Sequence, residues 1–265
     1  MITYSRFFPG DIIGQNEDEI SAGKALDTLL TLENPTASYS QMMRYRLSGK
    51  ASNQCCDNYF IALDDGICVS RIWYGWGKHD DAIGNFGNFL TANDHQRMGI
   101  GSKLLKMLFD DLNSRNDKPI GLFCTAGKEH LVQTYGKYGF RLALKNTTVG
   151  RLYCPLKNSP PTFSEFCEEY YQTKGKLRFI PGTIAYRHEI DCLLSFAFDE
   201  LKIKFGFEVM PSYEIAILTL LNNPNAGKLE VIVNDINHVV GWAWTPNGMA
   251  RLIQVHPKFS NNIIE

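Results

Sequence analysis

Apolar residues recur along this chain with two different periods, and the switches between them mark its elements. Residues 17–33 (EDEISAGKALDTLLTLE) place Ile20, Leu26, Leu29 and Leu30 on one helical face, and a second, short helix is predicted over Ser38–Leu47. The period then shortens. NYFIALDDGICVSRIWYGW predicts two strands joined at Asp65-Gly66, a pair suited to the tight turns of hairpins. AIGNFGNFLTAN is a third strand. A helix follows from about Gly99–Ser102 to Ser114, with Leu104, Leu105, Leu108, Phe109 and Leu112 in one buried stripe. PIGLFCTA (119–126) is a continuous apolar run, the pattern of a strand covered on both faces. A helix over about Glu129–Tyr138 and strands at GFRLALK and GRLYCPL complete the block. This order of elements predicts a mixed α/β layer.

The stretch PLKNSPPT (155–162), with three prolines, ends that block and predicts a boundary between a domain at 1–156 and another at 163–265. Beyond it, Phe163–Thr173, Tyr186–Lys204 and Tyr213–Leu221 read as helices, the last started by Pro211-Ser212. KLEVIVND, HVVGWAW and ARLIQVH read as strands. A length of 265 residues suits two domains.

Composition narrows the function classes. Hydrophobic content of 44% and charged content of 21% are those of a soluble globular protein. A formal net charge of −1 gives no polyanion-binding surface, so nucleic acid is not an expected partner. No apolar run reaches membrane-spanning length, and MITYSRFFPGD lacks the apolar core of a signal peptide, so a cytoplasmic protein without membrane contact is expected. The seven cysteines are odd in number and form no C-x-x-C pair; reduced thiols are expected, and neither a disulfide framework nor a metal site.

DHQRMGIGSKLLKMLF (94–109) carries the first candidate chemistry. Gly99 and Gly101 stand where the helix begins, although glycine weakens helices. A helix N-terminus presents unpaired N–H groups and a partial positive charge, and anions bind there when no side chain blocks the approach. Arg97 and Lys103 add cationic character. The stretch fits neither G-x-G-x-x-G nor the P-loop pattern. It does match Q/R-x-x-G-x-G/A through Gln96, Gly99 and Gly101, which resembles the phosphate-binding motif of the GNAT superfamily of N-acetyltransferases. Downstream, Tyr135, Gly139 and Phe140 in TYGKYGF reproduce that family's Y-x-x-x-G-F, with one helix, one strand and one helix between the two motifs. The resemblance covers about residues 15–155.

That resemblance implies a mostly antiparallel mixed sheet flanked by helices, and a reaction that transfers an acetyl group from acetyl-CoA to an amine without a metal. The pantetheine arm of CoA would pair with the backbone of Phe89, Leu90 and Thr91. The amides around Arg97, Met98, Gly99, Ile100, Gly101 and Ser102 would cradle the pyrophosphate, and Gln96 would brace the loop. Tyr135 would protonate the leaving thiolate, a phenol near pKa 10 against a thiol near 8.5; its other reading is a core tyrosine. The family's fifth-strand glutamate is Phe123 here, and an asparagine position is Lys128. His79, Asp80, Asp81, Glu129 and His130 are base candidates that also read as solvated loop charges. Trp73, Tyr74 and Trp76 either wall an acceptor pocket or pack in the core.

The C-terminal half repeats the order of the first half as far as IQVHP, where no G-x-G follows, and so resembles a truncated second unit of the same fold. It would complete the acceptor pocket, form a homodimer interface or extend the sheet; His188 and His256 read as structural or solvated. The expected function is acetylation of a small-molecule primary amine. Acetylation of a protein, and a catalytically silent CoA-binding or interaction module, are the alternatives.

Overall fold

The structure, a computed structural model, describes residues 1–9, 37–144, 147–172, 175–202 and 210–262. The helix expected over 17–33 lies outside them, as do the last residues expected of the helices at Phe163–Thr173 and Tyr186–Lys204. The chain forms two compact units, one of residues 1–78 and 86–118, the other of residues 79–85 and 119–265.

In the first unit four strands lie in the order β1 (Ile2–Phe7), β2 (Cys55–Asp64), β3 (Ile67–Gly77) and β4 (Ile83–Thr91), β4 entering it at Phe86. The β2–β3 hairpin turns at Asp65 (φ 46°) and Gly66 (φ 81°), the left-handed pair that matches strand twist. Helix α1 (Ala37–Leu47) is tied to the sheet by the buried Arg46–Asp57 ion pair at 2.6 Å, whose carboxylate also accepts the Trp73 indole N–H at 2.8 Å. Helix α2 (Ile100–Ser114) buries Ile100, Leu104, Leu105, Leu108, Phe109 and Leu112, the stripe its spacing predicts. Strand β1 escaped the sequence reading because Arg6 occupies an inward position. Its guanidinium is held by Asp111 and, at 2.7 Å, by Asn58 Oδ1.

The second unit begins with Ile83–Asn85 of β4, paired in parallel with Gly121–Phe123 of β5 (Gly121–Ala126). Strand β7 (Gly150–Pro155) runs antiparallel to β5, and the short β6 (Arg141–Leu142) antiparallel to β7. Helix α3 (Glu129–Gly136) links β5 to β6. Phe123 is enclosed by Tyr153, Phe163, Phe166 and Phe196, ring centroids 5.2–6.1 Å away.

The same unit holds the C-terminal half. Helix α4 (Phe163–Tyr170) starts with a capping box between Thr162 and Glu165. Strand β8 (Arg178–Pro181), a π-helical segment (Glu189–Leu194) continuing into α5 (Ser195–Glu200), and α6 (Tyr213–Asn222) follow. Strands β9 (Gly227–Val233), β10 (Val239–Pro246) and β11 (Leu252–Val255) complete a sheet of order β11-β10-β9-β8. Four strands in sequential order, with helices between the first and second, repeat the pattern of β1–β4. The expected α/β class holds: a mostly antiparallel sheet flanked by helices, and a second, smaller sheet.

Candidate active site

At the end of β4 the Ala92 amide donates to Val69 O at 2.8 Å, and a single turn of 3₁₀ helix (Asn93–His95) leads away. The Gln96 side chain donates to Thr91 O at 3.2 Å and to Asn93 Oδ1 at 3.0 Å, closing the loop across its base. Arg97 (φ 65°) and Gly99 (φ 77°) are both left-handed. Such turns gather successive N–H groups into an anion-binding concavity. Helix α2 then begins with no side chain capping it, and its first-turn amides have no acceptor within the helix. The buried Ile100 side chain anchors the first turn, while Arg97 and Met98 are exposed. The Lys103 ammonium lies 3.8 Å from the centroid of the Tyr4 ring.

The two glycines have different surroundings. A Cβ on Gly99 would meet nothing within 4 Å; glycine is there for its left-handed φ. A Cβ on Gly101 would lie 2.7 Å from Cζ of Phe89, so glycine is there because the Phe89 ring packs onto the first turn of α2. Upstream, Asn88 is left-handed inside β4 (φ 51°), a kink the sequence reading missed; asparagine is among the few residues that adopt this backbone readily. Ser70 Oγ donates to Leu90 O at 2.9 Å and shares a hydrogen bond with Thr91 Oγ1 at 2.8 Å.

Tyr135 is buried near the end of α3. The motif containing it is a helix stop. The Phe140 amide donates to Tyr135 O at 3.3 Å and the Gly139 amide to Gly136 O at 3.1 Å, with Gly139 left-handed (φ 93°). These are the two bonds of a Schellman cap, and the Tyr135 and Phe140 rings, centroids 6.1 Å apart, make its apolar contact. The cap is made by backbone bonds and by the two rings. Burial, with the nearby Cys124 thiol, pushes the phenol well above its ordinary pKa. Tyr135 therefore stays protonated across the physiological range.

The base candidates separate. His79 is no solvated loop charge: its Nε2 lies 3.2 Å from the fully buried Glu189 Oε1, its ring packs on Tyr186 at 4.8 Å, and although burial pulls it down, the Glu189 charge together with hydrogen bonds to Glu189 and the backbone raises it to about 9. Asp80, Asp81, Glu129 and His130 are exposed. Lys128 is the N-cap of α3 and makes no side-chain cap. Trp73, Tyr74 and Trp76 are core residues: Tyr74 stacks on Trp76 at 5.5 Å and its hydroxyl is held by Asp111. His188 and His256 are also buried; the latter stacks on Tyr171 at 4.1 Å and is pushed down to about 4 by burial.

Residues 33–151 match the family model described as "Acetyltransferase (GNAT) domain". A comparison with curated protein sequences found no significant match. Among solved structures, the chain is similar to one of the NatC complex bound to Gag peptide and CoA (20% identity, 59% of this chain and 99% of that one, TM-score 0.40). It is also similar to a GNAT family acetyltransferase from Brucella melitensis in complex with acetyl-CoA (14%, 61% and 92%, TM-score 0.41). Another is Arabidopsis thaliana Naa50 in complex with a bisubstrate analogue (19%, 37% and 72%, TM-score 0.30). The open helix start after Gln96 and the capped Tyr135 motif both lie within residues 33–151, the stretch that matches the GNAT acetyltransferase domain model.

Proposed function

We propose that the protein acetylates a primary amine of a small molecule by direct attack on the thioester of acetyl-CoA. The observation that carries this reading is the uncapped start of α2, where left-handed Arg97 and Gly99 leave main-chain donors between Arg97 and Ser102 for a diphosphate. The backbone of Phe89, Leu90 and Thr91 pairs with the pantetheine arm, and Gln96 holds the loop in shape. The neutral amine attacks the carbonyl carbon, a C–N bond forms and the oxyanion is held by backbone N–H groups. The C–S bond then breaks, and the Tyr135 hydroxyl hydrogen-bonds to the departing sulfur and protonates it. A thiolate desolvated by its surroundings is itself more basic, which offsets the raised pKa of the phenol. With Phe123 walled in by aromatic rings, the proton on the attacking nitrogen of the tetrahedral intermediate leaves through water rather than through a fifth-strand carboxylate. The chain has no acidic run to recruit a polycationic acceptor, which favours a small amine over a histone-like tail.

The test is CoA release from acetyl-CoA against two panels, small primary amines and peptides with free N-termini. Turnover confined to the amine panel is the expected result. Turnover confined to the peptides moves the acceptor to proteins, and binding without turnover on either panel leaves a silent CoA-binding module.

A further inference from the structure

The start of β4 is held from the C-terminal half. Glu189, fully buried in the π-helical segment, accepts the Ile83 amide through Oε1 at 2.7 Å, and the same oxygen faces His79 Nε2 at 3.2 Å. Two residues further along β4, the Asn85 side-chain amide donates to Cys192 Sγ at 3.1 Å. Ile83 and Asn85 bound the three residues of β4 that pair with β5. Phe196, just after the π-helical segment, packs edge-on against Phe123 of β5 at 5.4 Å. One helical stretch thus grips both parallel strands where they join. A carboxylate with no solvent exposure is costly unless its partners are in place, so Glu189 is a poor choice for mere packing. A π-turn inserts an extra residue into a helix and is kept where a side chain must be aimed.

We propose that Glu189 is a positioning residue for acyl transfer, fixing the root of the β4–β5 pair, and that the C-terminal half is a brace for the start of that strand rather than a second catalytic unit. This deepens the acetyl-CoA reading above and rests on it. Residues Phe89–Thr91 and the loop after them are the continuation of the strand that Glu189 pins. Losing the pin frays the strand start, and the loss is read as weaker donor binding.

Three variants test this by acetyl-CoA titration at a temperature where circular dichroism shows each folded, together with hydrogen exchange at the Ile83 amide. Glu189→Gln keeps an oxygen acceptor for Ile83 but not the ion pair, and is expected to weaken acetyl-CoA binding about fivefold. Glu189→Ala removes both, and is expected to weaken binding further and speed Ile83 exchange at least tenfold. Val231→Ala, a buried change in β9 away from β4, serves as a control for general destabilisation and should leave binding within twofold. Folded Glu189→Gln that binds like the wild type overturns the proposal, as does a Val231→Ala loss equal to that of Glu189→Gln. If Glu189→Ala does not fold, Glu189→Gln decides. If the wild type itself does not bind acetyl-CoA, the donor-site reading falls, while unchanged Ile83 exchange in the variants would remove the brace independently.

Discussion

At the scale of single residues, the account depends on separating what a side chain does for the fold from what it does for the chemistry. Tyr135 allows that separation cleanly. Its ring completes the Schellman cap with Phe140, and phenylalanine would do so equally well. Tyr135→Phe should therefore stay folded and bind acetyl-CoA within twofold, yet turn over about a hundredfold more slowly, the usual worth of a positioned proton donor. Unchanged turnover would return Tyr135 to the core. The motif's presence was legible in the sequence; that its glycine and phenylalanine are a helix stop was not, since the two capping bonds appear only once the chain has turned. His79 shows the opposite failure. Its partner Glu189 lies 110 positions along the chain, so nothing local distinguished it from a loop charge.

At the scale of elements, the strong periodicities carried over because each states its own packing. The α2 stripe is buried as spaced, and the Asp65-Gly66 hairpin forms with both residues left-handed. Short or disguised elements did not announce themselves. Strand β8 is four residues ending in Pro181, and β1 hides Arg6 at an inward position. The helix expected from Tyr186 is a 3₁₀ turn, a π-helical segment and then α5, a change of helix type that apolar spacing does not announce. Two substitutions test this level. Gly139→Ala forces a side chain into left-handed backbone and sets a Cβ 3.4 Å from Cys154 Sγ, so it should cost about 1–2 kcal/mol in a denaturant titration. Gly101→Ala should weaken acetyl-CoA binding about tenfold by pushing on Phe89, and Phe89→Leu in the same protein should restore most of it. Failure of that restoration would mean that Gly101 is needed for the ligand and not for Phe89.

At the scale of the whole molecule, the proline-rich stretch at 155–162 suggested a division at that point. The contacts gather residues 79–85 and 119–265 into one compact unit, a grouping that local composition does not encode and that leaves the expected boundary untested. Its charges set the pH response. The folded pKa of His79, about 9, lies above its ordinary 6.5, so the stability it contributes is complete below about pH 6.5 and lost as the pH rises through 9. The groups that feel its partner Glu189 leave that window clear: Tyr170, Tyr171, Tyr186 and Tyr213 are all raised by burial and Cys192 lies at about 12, while the part-buried Asp191, at about 7, has already ionised. Melting temperature should fall between pH 8 and 10, and more steeply than in His79→Gln; parallel curves would contradict the pairing. The most direct test of the donor site is a backbone amide NMR titration with CoA. The account predicts that the largest shifts fall on Arg97–Ser102, with Phe89–Thr91 following. Saturable binding that leaves the amides of Arg97–Ser102 unmoved would contradict it.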